Sequence, residues 1–345
     1  MTWNVVLPAT SSLVSFVFAY LLYEQWRDRR RPYQLIWMLG MLWYGISAGT
    51  EALGGAIGWG AGLYRAWYLI GAVYVAGWLG LGTVYLLART RFGYCYALSL
   101  LLAGLFTYLS WRRYAYAQTD GTEYVYPAIA LGLAIVIAVL TYRGDERWAQ
   151  VAGVATVVGS VAAALMAATV FLPAPGYSLD PVTGNPDAAL FPGYLRLLTP
   201  LFNVTGGLAL VLGALYSAYV FMPKRRILRY SLRRDQPAAG LVRNLLVAPV
   251  AIVVNFVASL PAAVSDLLAG RLNSRVPATI LIAIGGFIPS LTSGANRFGM
   301  TELFFLGELL GAVFLFLGFL ASTEVFPEIR VPFTDRVLFA RRAGA

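Results

Sequence analysis

The chain has 345 residues, 59% of them apolar and 12% charged, with a formal net charge of +10 and a mean hydropathy of +0.69. Its apolar residues fall in runs of about 20, which excludes a soluble globular protein and predicts an all-α polytopic transmembrane helical bundle. One cysteine, Cys95, and no histidine argue against an internal disulfide, a thiolate-held cluster, imidazole ligation of haem, zinc or copper, and any catalyst that needs imidazole as its base.

The first apolar run carries no charge before it and ends in "EQWRDRRR". That pattern predicts an uncleaved first span with its N-terminus outside, not a signal peptide. Further spans are expected at about 33–57, 64–88, 94–111, 127–142, 148–172 and 194–222, with the first at about 4–26. The only lysine, Lys224, falls at a helix end in "MPKRRILRY", so a retinal Schiff base in the middle of the seventh span is not expected. Two last spans follow at about 277–295 and 302–322. Between them and the seventh span lies "NLLVAPVAIVVNFVASLPAAV". This stretch, 244–264, is long enough to cross but carries Pro249, Pro261 and Asn255, and reads as an interrupted helix, re-entrant or lying in the membrane plane.

The basic residues favour that reading, because cytoplasmic loops collect Lys and Arg. If 244–264 returns to its own side, 21 of the 26 basic residues lie inside and 5 outside; if it crosses, the split is 16 to 10. The expected topology is therefore nine spans plus one non-crossing segment, in the inner (plasma) membrane, N-terminus outside and C-terminus in the cytoplasm. The organisation expected is a seven-span bundle over 1–223, a basic linker over 224–276, a two-span hairpin over 277–322 and a basic tail over 323–345. Lys224, Arg225, Arg226, Arg229, Arg233 and Arg234 form the densest basic stretch. Anionic lipid headgroups are its expected partner, with a protein docking at the linker or the tail as the alternative, and nucleic acid is not expected. Asp180, Asn185 and Asp187 in the long outer loop read as turn chemistry, since their spacing is not that of a calcium loop.

Polar residues inside the spans are the candidate site. Glu308 and Glu51 each lie six residues from the outer end of a span, about 9 Å deep at 1.5 Å per residue. Asn203 reaches a similar depth, and Arg65 and Arg196 lie at the same end, so these five are expected to form one buried polar cluster with arginines pairing the acids. Gly307 and Gly311 frame Glu308 as a small-residue motif that lets a second backbone approach. Trp37, Tyr44, Trp67, Tyr74 and Trp78 recur at helical spacing on the second and third spans. They suit either packing or a slot for a flat apolar ligand such as a quinone, carotenoid or lipid tail.

In "YRAWYLIGAVYVAGWLGLGTVYLLA", "FPGYLRLLTPLFNVTGG" and "ILIAIGGFIPSLTSGANRFG" the chain resembles a group of uncharacterised bacterial multi-pass integral membrane proteins. The resemblance implies topology and no activity, and the 224–275 stretch is longer than that group's usual connection. The functional expectation is a structural, accessory or sensing bundle, with no cofactor and no enzyme chemistry. The alternatives are an ion- or proton-coupled transporter or channel using Glu51 and Glu308, or a quinone-, carotenoid- or lipid-binding subunit.

Overall fold

A computed structural model describes residues 3–181, 183–229, 238–296, 302–321, 328–330 and 337–340. They form ten long helices: α1 Trp3–Arg29, α2 Pro32–Ile57, α3 Ala61–Leu86, α4 Gly93–Tyr114, α5 Thr122–Arg143, α6 Arg147–Thr169, α7 Gly193–Phe221, α8 Ala238–Leu268, α9 Arg275–Asn296 and α10 Glu302–Ala321. Two short strands, β1 Glu328–Arg330 and β2 Val337–Ala340, pair antiparallel with Ile329 opposite Phe339. Among the described residues nine helices are long and apolar enough to cross a membrane. The exception, α2, is as long, but it carries Gln34, Thr50, Glu51 and five glycines.

Burial is distributed as a lipid solvent requires. Along α6, the small or hydroxyl residues Ala152, Thr156, Ser160, Ala163 and Ala167 face inward, while Val154, Val158, Val161 and Leu165 are exposed. Small inward residues let helices approach closely, and large apolar residues outside match hydrocarbon. The protein is a membrane-embedded, multi-pass helical bundle.

The chain divides into two compact units, one of residues 1–213 and 281–317, the other of 214–280 and 318–345. The expected hairpin over 277–322 is thus not a separate body, because most of α9 and α10 belongs with the first seven helices. In the larger unit the Ser12 hydroxyl of α1 donates to the Gly45 carbonyl of α2 (2.7 Å). The α3 and α7 backbones touch, and a Cβ added at Gly80 would lie 2.5 Å from Gly206 Cα. Gly285 of α9 approaches the α10 backbone as closely, 2.6 Å from Leu315 N on the same measure, and Gly307 and Gly311 face Thr292 and Pro289 of α9. The small-residue motif around Glu308 is therefore the α9–α10 seam.

In the smaller unit the end of α7 packs against α8 and the start of α9, through Tyr219, Met222, Ala263 and Val276. The interruption expected in 244–264 is absent: α8 continues through Pro249 and Pro261 as one helix. A proline removes a single main-chain bond, and i−4 clash at one turn is absorbed where neighbouring turns stay bonded.

Candidate functional site

Glu51 and Glu308 meet. Glu51 is 2% exposed, and its Oε1 accepts from the Trp67 indole N–H of α3 (2.9 Å). Its carboxyl neighbours that of Glu308 on α10. Oε2 of each acid is enclosed and has no donor. The Tyr44 hydroxyl, on the same face of α2 as Glu51, donates to the Glu308 main-chain carbonyl (2.8 Å). Three helices therefore converge here, α2 supplying an acid and a phenol, α3 an indole and α10 an acid. Just beyond Trp67, α3 widens into a π-turn over Ile70–Tyr74, a local change of pitch that often accompanies functional side chains.

The other expected members of the cluster lie elsewhere. Arg65 donates to the carbonyls of Ala167 (3.1 Å), Ala168 and Val170 (2.7 Å). It closes the C-terminal end of α6, where orphan carbonyls and the negative end of the helix dipole favour a cation. Arg91 treats the end of α5 in the same way, through Thr141 (2.7 Å) and Tyr142 (3.2 Å). Arg196 stacks over the Tyr116 ring at 4.3 Å, and Asn203 is exposed. The ion pairs among the described residues include Arg27–Glu24, Arg89–Glu146 and Arg271–Asp266, which lie outside the site. The expectation that arginine pairs these acids is not met, because the guanidiniums are drawn to unsatisfied helix-end carbonyls and to an aromatic face.

The five aromatic residues do not line one slot. Trp37 donates to the Leu79 carbonyl (3.1 Å) and fills the notch at Gly82. Tyr44 and Trp67 serve the carboxyl pair, and Tyr74 donates to the Ser160 carbonyl (3.0 Å) with its ring edge-on to Trp43. Trp78 alone of the five lines a shallow apolar groove of about 360 Å³, with Ile36, Leu81 and Tyr85 and with Gly153, Val154, Val157 and Val158 of α6.

Around the loop between α6 and α7, Tyr64 and Tyr68 stack on Phe191 at 4.9 and 3.9 Å, and the Tyr64 hydroxyl donates to the Asp187 carbonyl. Asp180 accepts from the Thr183 main chain and hydroxyl, and Asp187 from Ala189 N–H (2.8 Å). Both acids are occupied as turn builders, and the described residues hold no cluster of metal-ligating side chains. Sequence reasoning took Asn255 only as a mark of interruption and missed Ser259; the two organise the connection between α7 and α8. Their signal was visible as two polar residues one helical turn apart in an apolar run. Lys224, Arg225, Arg226 and Arg229 lie on that connection, exposed; Arg233 and Arg234 lie outside the described residues.

No protein-family model, curated protein or solved structure matches the chain.

Proposed function

We propose that this protein is a proton-responsive accessory or sensing bundle whose working element is the Glu51–Glu308 pair. The observation that carries the reading is that the two neighbouring carboxyls each have an enclosed Oε2 without a donor. Two carboxylates are acceptors only, so neither satisfies the other unless a proton lies between them. An uncompensated charge at this depth costs about 2.5 kcal/mol or more. The groups against the pair are the Tyr44 hydroxyl and the Trp67 indole, with Arg65 and Arg196 engaged elsewhere. One shared proton satisfies both oxygens, leaves one negative charge instead of two and joins α2 to α10. Its loss places two like charges face to face and favours separation of those helices.

A transport reading needs a route to each side of the membrane. The groove at Trp78 is apolar and its lining includes neither acid, so enclosure favours a sensor over a carrier. The non-enzymatic reading rests on the absence of histidine and the single cysteine. The orientation proposed is N-terminus outside and C-terminus in the cytoplasm of an inner membrane, supported by the 21 to 5 distribution of basic residues.

Infrared spectroscopy of the protein in nanodiscs tests the pair. A protonated-carboxyl band should persist at neutral pH in the wild type and weaken in Glu51→Gln and in Glu308→Gln, because a glutamine amide donates to the remaining carboxylate without a shared proton. A wild type with no such band at neutral pH would overturn the proposal.

A further inference from the structure

The connection that follows α7 is tied to the middle of α8. The N–H groups of Ile227 and Leu228 both donate to Asn255 Oδ1 (2.8 and 2.9 Å), and Asn255 Nδ2 returns a bond to the Leu228 carbonyl (2.8 Å). One turn on, Ser259 Oγ accepts from Arg225 N–H (2.9 Å). Asn255 and Ser259 are 1% and 0% exposed. The clasp satisfies two polar side chains in an apolar helix and fixes where the strap of residues 224–229 lies.

That placement fixes the depth of α8. Ser259 is the midpoint of the apolar window Val250–Leu268, and the strap laid on it exposes Lys224, Arg225, Arg226 and Arg229. Among the described residues no acid forms an ion pair with these four. Were α8 to cross the bilayer, its midpoint would carry four cations into hydrocarbon, each disfavoured by about a hundredfold or more. The chain ends agree. Met222 at the end of α7 and Val276 at the start of α9 share one cluster, and the Arg275 guanidinium lies 4.4 Å over the Phe221 ring. A segment that leaves the end of α7 and returns to it has not changed sides.

The opposite face of α8 exposes Val250, Val253, Val257, Val264 and Leu268. A helix with cations strapped to one side and branched apolar residues on the other fits the boundary between headgroups and acyl chains. We infer that α8 lies in the membrane plane at the face where α7 ends, and that the clasped strap binds anionic phospholipid, cations to the headgroup phosphates and the valine face to the acyl chains. The inference is independent of the carboxyl pair.

Two measurements on the full chain in nanodiscs test it. Spin labels at Val250→Cys, Val257→Cys and Val264→Cys, in a Cys95→Ser background, should report one shallow depth. A label at Val257 near the bilayer centre, with Val250 and Val264 shallower and on opposite sides, would overturn the in-plane placement. Native mass spectrometry should show phosphatidylglycerol retained over phosphatidylcholine, with retention falling about fivefold per charge removed in Arg225→Gln, Arg226→Gln and Arg229→Gln. These side chains are exposed, so the variants keep the fold. Equal retention of both lipids, or a triple variant that keeps its phosphatidylglycerol while losing a co-purifying protein, would refute lipid binding by the strap.

Discussion

Glu51 depends on a single indole for its Oε1, which makes Trp67 the most informative substitution beside the acids. Trp67→Phe keeps an aromatic ring but removes the donor, and an orphaned buried acceptor costs about 1–3 kcal/mol. A melting curve in detergent should register that loss, and adding Glu51→Gln should reduce it, since a neutral amide tolerates the missing donor better than a charge-bearing acid. Arg65→Gln should cost about 1–2 kcal/mol through the open end of α6. Because neither Arg65 nor Arg196 touches the acids, Arg196→Gln combined with Glu308→Gln should be additive to within about 0.5 kcal/mol. Strong coupling between them in a double-mutant cycle would restore arginine pairing. That the two acids stand at a common level of the bundle was legible in the sequence, since it follows from counting residues at a fixed rise. Their partners were not, because a guanidinium at a helix end chooses among carbonyls, rings and carboxylates that periodicity does not locate.

Helix identity and order were nearly all readable from apolar runs and arginine clusters, and the small residues marked the seams. Gly80 and Gly206 stand where two backbones touch, so Gly206→Leu should prevent α3 and α7 from closing and abolish a cooperative melt. An unaltered melt would contradict the packing described. The aromatic stripes misled because a 3.6-residue period identifies a shared face without saying what it meets. Residues of one stripe here face a carbonyl, a carboxyl pair and a groove in turn. Tyr74→Ala removes a half-buried ring and its bond to Ser160, and should cost up to about 3 kcal/mol without releasing any bound small molecule. In α8, two prolines suggested a break, yet the polar residues between them proved more informative. Asn255 and Ser259 are explained by the strap they hold, a long-range contact that no local propensity encodes.

On the proposed topology the chain crosses the membrane nine times, with α8 remaining on the side where α7 ends. Cysteines at Ala189 and Asn273, each in a Cys95→Ser background, should be labelled by an impermeant thiol reagent from outside and inside respectively. Labelling of Asn273 from outside would mean that α8 crosses. The division into two compact units at Gly213 and Leu281 was not legible in the sequence, since the last two helices return to pack with residues far earlier in the chain. The central claim is that the folded bundle holds a proton between Glu51 and Glu308, and thermal melting against pH tests it most directly. A proton held when folded and released on unfolding stabilises the fold at low pH, and that contribution fades as pH rises. The wild-type melting temperature should fall on alkalisation through the range in which the shared proton is lost, and the Glu51→Gln, Glu308→Gln double variant should lack that fall. Equal pH dependence in the two proteins would contradict the account.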